Sequence, residues 1–261
     1  MRYLRLYLHF LRFSFSRAME FRVDFFFRVL MDGLWYAVHL AYFAVLFRFT
    51  GGLGGWNYDQ VLIFAASMFL MDALQMTFFS NNFWWFPMLV NRGDLDYYLL
   101  RPVSPLFFVS LREFAANSFL NLLLAVGILV WALARYPDPL GAGRIALYSL
   151  LLVAGVYLFY LLSMVFLIPV FWLQSRTGIR EVFWSLERFG LRPHGIYRGW
   201  TRWVLVTLLP FAFLCSYPCM VLFEGPTALL LLHTAAVLAG VTFVMVWMWR
   251  RGLRSYASAS S

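Results

Sequence analysis

Few side chains in this sequence can bind a metal, move a proton or attack a bond, and most of them are scattered. His9, His39, His194 and His233 fall in different segments, with neither an HExxH pattern nor a paired spacing, so no metal site is expected. Cys215 and Cys219 stand four apart around Pro218 in an apolar run. That is not the CxxC spacing of a zinc or redox site, and the two read as small apolar side chains. There is no GxSxG elbow to carry an acyl-enzyme. All 21 basic residues are Arg, so the chain has neither the Lys of a phosphate-binding P-loop nor the amine of a Schiff base. Any coupling to ATP must come from another subunit.

Two constellations remain. The first is Asp72, Gln75 and Asn82, with Asn81 beside them, in an otherwise apolar stretch. The spacing i, i+3 and i+10 places the first three roughly on one helix face. An ionisable group at mid-membrane costs about 2.5–3.5 kcal/mol on insertion scales. Such a face either lines a substrate path or subunit interface, or supplies hydrogen bonds between helices. The second is NRGDLDYYLLRPVSPLFF, residues 91–108. Gly93 can end the preceding helix, and Asp94 can cap a new one whose first turn favours acid. Leu95, Tyr97, Tyr98, Leu99 and Leu100 give the new helix an apolar surface, and Pro102 and Pro105 stop it. A short capped helix with apolar knobs suits a groove on a partner. The plainer alternative is a loop with capping chemistry.

The elements that hold these residues must lie in lipid. Of 261 residues, 63% are hydrophobic and 13% charged, with a mean hydropathy of +0.75. A soluble domain carries about a quarter charged residues. The expectation is an all-α membrane protein with six transmembrane helices, near 25–47, 60–86, 106–134, 145–173, 204–223 and 227–249. Residues 23–249 form the transmembrane domain and 250–261 a polar, frayed cytoplasmic tail. In residues 1–22, Arg2, Arg5, His9 and Arg12 recur at steps of three and four, as on one stripe of a helix. A basic amphipathic helix of this kind lies in the membrane interface. Residues 174–203 are rich in Arg and Trp and read as a cytoplasmic segment along the interface, meeting anionic lipid. With the N-terminus inside, eighteen of the 21 arginines fall on the cytoplasmic side, and an even number of spans puts both termini there. The basic charge thus marks a membrane face, and no nucleic-acid partner is expected.

The string Gly-Asp-Leu-Asp followed by Leu-Leu-Arg-Pro, just after a second span, resembles the ABC-2 family of ATP-driven transporter permeases, in particular its uncharacterised bacterial subfamily. The run IYRGWTRWVLVTLLPFAFLCSYPCMVL looks like that subfamily's second recurrent segment, although the two cysteines are not part of the likeness. The resemblance implies a type V exporter-like permease fold with residues 1–22 as an interfacial elbow. It implies a coupling helix near 92–102, where Gly93, Asp94, Leu95, Asp96, Tyr97, Tyr98, Leu99, Arg101 and Pro102 meet a separate ATPase. A short re-entrant segment would come after the fifth span. Two ATPase subunits carrying ATP and Mg would serve a pair of permease chains, identical or homologous, in the bacterial cytoplasmic (inner) membrane. This chain would then be a non-catalytic exporter subunit that holds no cofactor itself, and its apolar composition would suit a hydrophobic, amphipathic or lipid-linked substrate. A membrane-embedded enzyme acting on lipid, with Asp72 or a His as acid/base, and a lipid-binding scaffold are the competing readings.

Overall fold

The computed structural model describes residues 2–20, 22–173 and 178–256, and every regular element among them is a helix. Without water to satisfy a backbone, long helices are the form an apolar chain adopts in lipid. Helix α1 spans Arg2–Glu20, α2 Arg22–Leu46 and α3 Tyr58–Gln75. α3 runs through a π-helical turn, Met76–Ser80, into α4, Asn81–Arg92. Short helices α5, Asp96–Leu99, and α6, Pro105–Leu111, precede α7, Phe119–Arg135. α8 is Ala142–Leu167, α9 Val170–Leu173 and α10 Gly178–Glu187. α11 is Gly199–Thr207, α12 Ala212–Glu224 and α13 Ala228–Ser255. Five stretches are long and apolar enough to cross a membrane, or six if the bent pair α11–α12 counts as one. The third expected span begins later than the sequence implied, because the chain breaks at 112–118 between α6 and α7. At the C-terminus the expected frayed tail is still helical to Ser255, and residues 257–261 lie outside the described ones.

The bundle has two ends. At one, Leu95, Tyr98, Phe108, Phe86, Phe171 and Trp249 share a core cluster, and Ser104 N–H donates to the Tyr3 hydroxyl at 3.4 Å. At the other, Trp56 packs edge-on against Phe223, Phe47 meets Tyr58, and Arg135 reaches Asp59 at 3.8 Å. Both the start of α1 and the end of α13 therefore lie at the Gly93 end.

Residues 174–203 do not stay at that end, which corrects the sequence reading. Phe171 of α9 sits against Trp249 at the Gly93 end. Phe183 of α10 then packs on Phe159 and Phe166, well inside α8. Farther on, His194 faces Trp56 with ring centroids 6.2 Å apart, and Gly195 packs directly on the Gly54 backbone. The stretch thus carries the chain from the Gly93 end to the Trp56 end (residues 174–177 lie outside the described ones). The span expected at 204–223, with Pro210 and Pro218 as its breaks, is broken at the first of them: the turn at 208–211 holds Pro210, α11 and α12 meet there at 95°, and Pro218 stays inside α12. α12 has 13 residues, about 20 Å at 1.5 Å per residue, short of the roughly 30 Å hydrocarbon core. It starts beside Gly155 in the middle of α8 and ends beside Trp56.

Lipid tails are as apolar as Leu, so helices in lipid are joined by close packing and polar contacts rather than by the hydrophobic effect. Gly155 shows the first: a Cβ there would stand 2.6 Å from the Leu214 carbonyl oxygen and 2.8 Å from the Met71 methyl. Ser67 shows the second. Its Oγ donates to the Ile63 carbonyl at 2.7 Å, lies 2.6 Å from the Tyr148 hydroxyl and 3.6 Å from Cys219 Sγ, tying α3, α8 and α12 together.

Candidate functional site

The segment after α4 is built around a left-handed residue. Gly93 ends α4 at φ 79°, a conformation a Cβ disfavours, and its N–H returns to the Val90 carbonyl. Asp94 does not cap α5, contrary to expectation: the helix starts at Asp96 after Leu95, with no side-chain cap bond. Asp96 supplies the acid of the first turn. The apolar residues divide between two faces. Leu95 is 0% exposed and Tyr98 is buried, so both anchor the helix to the bundle. Tyr97 and Leu99 are exposed, and Leu100 is 86% exposed. The Arg101 guanidinium lies over the Tyr97 ring, 4.2 Å from its centroid, and bonds its hydroxyl. Arg112 reaches the Tyr98 hydroxyl from the α6 side. Asp94, Arg101 and Pro102 are all exposed. The result is a knob pinned from below and apolar on top.

The polar face of α3–α4 is rearranged by the π turn. One extra residue rotates everything beyond it by about 100°. Asn81 therefore joins Asp72 and Gln75 around one cavity of about 430 Å³, and Asn82 is turned away. Asn82 instead closes a two-way clip on residue 113: its Nδ2 donates to the Glu113 carbonyl and its Oδ1 accepts from the Glu113 N–H, both at 2.8 Å. That position is a correction to the expected common face. A second cavity, of about 560 Å³, adjoins the first, and both are lined by Asp72, Gln75, Met76, Phe159, Trp184 and Glu187. Gln75 donates to the Val156 carbonyl at 3.1 Å, while its Oε1 has no partner. The Ser163 hydroxyl in the same wall also lacks one.

Glu187 and Trp184 were missed by sequence reasoning because residues 174–203 were assigned to the other end. A signal was present: Trp184 and Glu187 are i and i+3, on one face of α10. Asp32 of α2 accepts from Asn121 Nδ2 of α7; the side chains of Asp24 and Arg28 lie outside the described ones. On α1, Arg5, His9 and Arg12 are exposed, while Leu6 and Phe10 pack into the cluster at the Gly93 end. The side chains of Arg2, Arg176 and Arg180 also lie outside the described ones.

The histidines do not converge. His39 stacks on Trp35, His233 meets Phe213 edge-on, and His194 is buried beside Tyr217. Among the described residues no three of His, Cys, Asp and Glu form a cluster able to hold a metal. Cys215 and Cys219 are both buried free thiols.

A family model described as ABC-2 family transporter protein matches residues 34–260. No curated protein and no solved structure matches the chain.

Proposed function

This chain belongs to the ABC-2 transporter family, and we propose that it is a permease subunit that exports a hydrophobic, amphipathic or lipid-linked substrate with work received through residues 92–102. The missing Lys fits a motor held on separate subunits, two ATPases that carry ATP and Mg. Closure of those subunits pushes on α5, and a second permease chain, identical or homologous, completes the pathway. Asp72, Gln75 and Asn81 line that pathway. The chain catalyses nothing itself. It lies in the bacterial inner membrane with the Gly93 end, and so both termini, in the cytoplasm, and α1 serves as an elbow in the interface.

The observation that carries the reading is the two-faced α5. Leu95 and Tyr98 fix it to the core, while Leu99 and Leu100 are exposed and Tyr97 projects with the Arg101 guanidinium over its ring. A helix attached in this way transmits a push to α4 and α6 rather than absorbing it. The test uses the complex isolated from native membrane. Asp94→Arg, or Arg101→Ala together with Pro102→Ala, should leave the permease folded and ATP hydrolysis active while transport falls at least tenfold. Undiminished transport in both variants overturns the coupling assignment.

A further inference from the structure

We propose that the joined cavities between α3–α4, α8 and α10 bind a hydrophobic organic cation (an amine, a guanidine or a quaternary onium) between the carboxylates of Asp72 and Glu187. For a role in export the inference rests on the pathway reading above; the binding itself does not.

Two acids from different helices line one space, Asp72 from α3 and Glu187 from α10, and the Asp72 charge reaches Glu187. Like charges held together away from water are unfavourable, and a cation between them removes the conflict. The neutral acceptors in the walls point the same way. Gln75 is only 4% exposed and Ser163 3%, yet Gln75 Oε1 and Ser163 Oγ have no partner. A buried acceptor without a donor costs free energy, and the N–H of an ammonium or guanidinium supplies that donor. The remaining walls are aromatic. Phe159 and Trp184 line both cavities, Phe166 the first and Trp35 the second. Ring faces attract cations, and they also accept the apolar body of the ligand. Arg188 lines the second cavity but not the first, and is exposed, so the first cavity keeps the two acids without a lining cation. Volumes of about 430 and 560 Å³ suit a small organic molecule. A metal ion fits less well, since the walls offer rings where a metal needs further oxygen ligands.

The probes are tetraphenylphosphonium and tetraphenylborate, which share size and shape and differ in the sign of the charge. Saturable binding to the full chain in zwitterionic nanodiscs is measured against empty discs. The cation should bind at least tenfold more tightly than the anion. Asp72→Asn combined with Glu187→Gln should weaken the cation at least tenfold and leave the anion no weaker. Equal binding of the two probes to the unmodified chain overturns the proposal without any variant. Unchanged cation binding by the double variant, with an unchanged thermal midpoint, overturns it too. Capture of an ATPase subunit by the same chain is scored separately. Capture without cation preference removes only this inference, and cation preference without capture removes only the export reading.

Discussion

The ring of His194 sits between Trp56 and Tyr217, and the backbone N–H of the residue donates to Ser216 Oγ at 3.2 Å. Burial, followed by the nearby Arg202 guanidinium, pushes its pKa from 6.5 down to about 4. The folded state therefore prefers the neutral ring. Above the unfolded value of 6.5 the residue has no effect on stability; as pH falls toward 4 the unfolded chain takes up the proton first and stability is lost. The loss should reach about 3 kcal/mol near the lower limit. Thermal unfolding in detergent at pH 7 and pH 4.5 should show a drop that His194→Phe lacks; an equal drop in the variant contradicts the assignment. Ser67 gives a second expectation. Ser67→Ala leaves the Tyr148 hydroxyl without its partner, and should cost about 1–2 kcal/mol. Tyr148→Phe in the same background should restore part of it. Neither role was legible beforehand, since a lone His and a lone Ser in apolar runs carry no spacing signal.

At the scale of elements, α5 and the π turn decide what the sequence motifs do. Leu95→Ala should destabilise the fold by about 2–4 kcal/mol through the cavity it leaves. Leu100→Glu should leave the thermal midpoint in place and weaken ATPase capture at least tenfold. If the two variants behave alike, the two faces of α5 have been assigned wrongly. Asn82→Ala strips the Glu113 N–H and carbonyl of their partners and should cost about 1–3 kcal/mol, whereas Asn81→Ala should cost far less. The sequence showed the position of Gly93, the acid next to it and the prolines that stop the segment. It did not show the register beyond Gln75, because Met-Thr-Phe-Phe-Ser carries no Gly or Pro to mark a π turn. Nor did it show which of Leu95 and Leu100 faces the core, because a helix of four residues is too short for its periodicity to be read.

For the whole molecule, the all-helical bundle followed directly from hydropathy, and the path of residues 174–224 did not. α10 has ten residues, two of them Glu, so no apolar window marks it as a passage between the two ends. Polar groups at that depth are tolerated where they line a cavity. Arginine counts reinforced the wrong side, because Arg192, Arg198 and Arg202 flank the segment that meets Gly54 and Trp56. Cysteines placed at Leu100 and at Arg198 should react with an impermeant maleimide from opposite sides of sealed vesicles. The background is low because Cys215 and Cys219 are buried. Labelling of both from one side contradicts the traverse. The most direct test of a bundle driven from outside itself is a photo-crosslinking residue at position 100 in native membranes. The adduct should be an ATP-binding subunit, formed at Leu100 and absent at the buried Leu95. Adducts only with lipid or with this chain itself would contradict an external motor seated on α5.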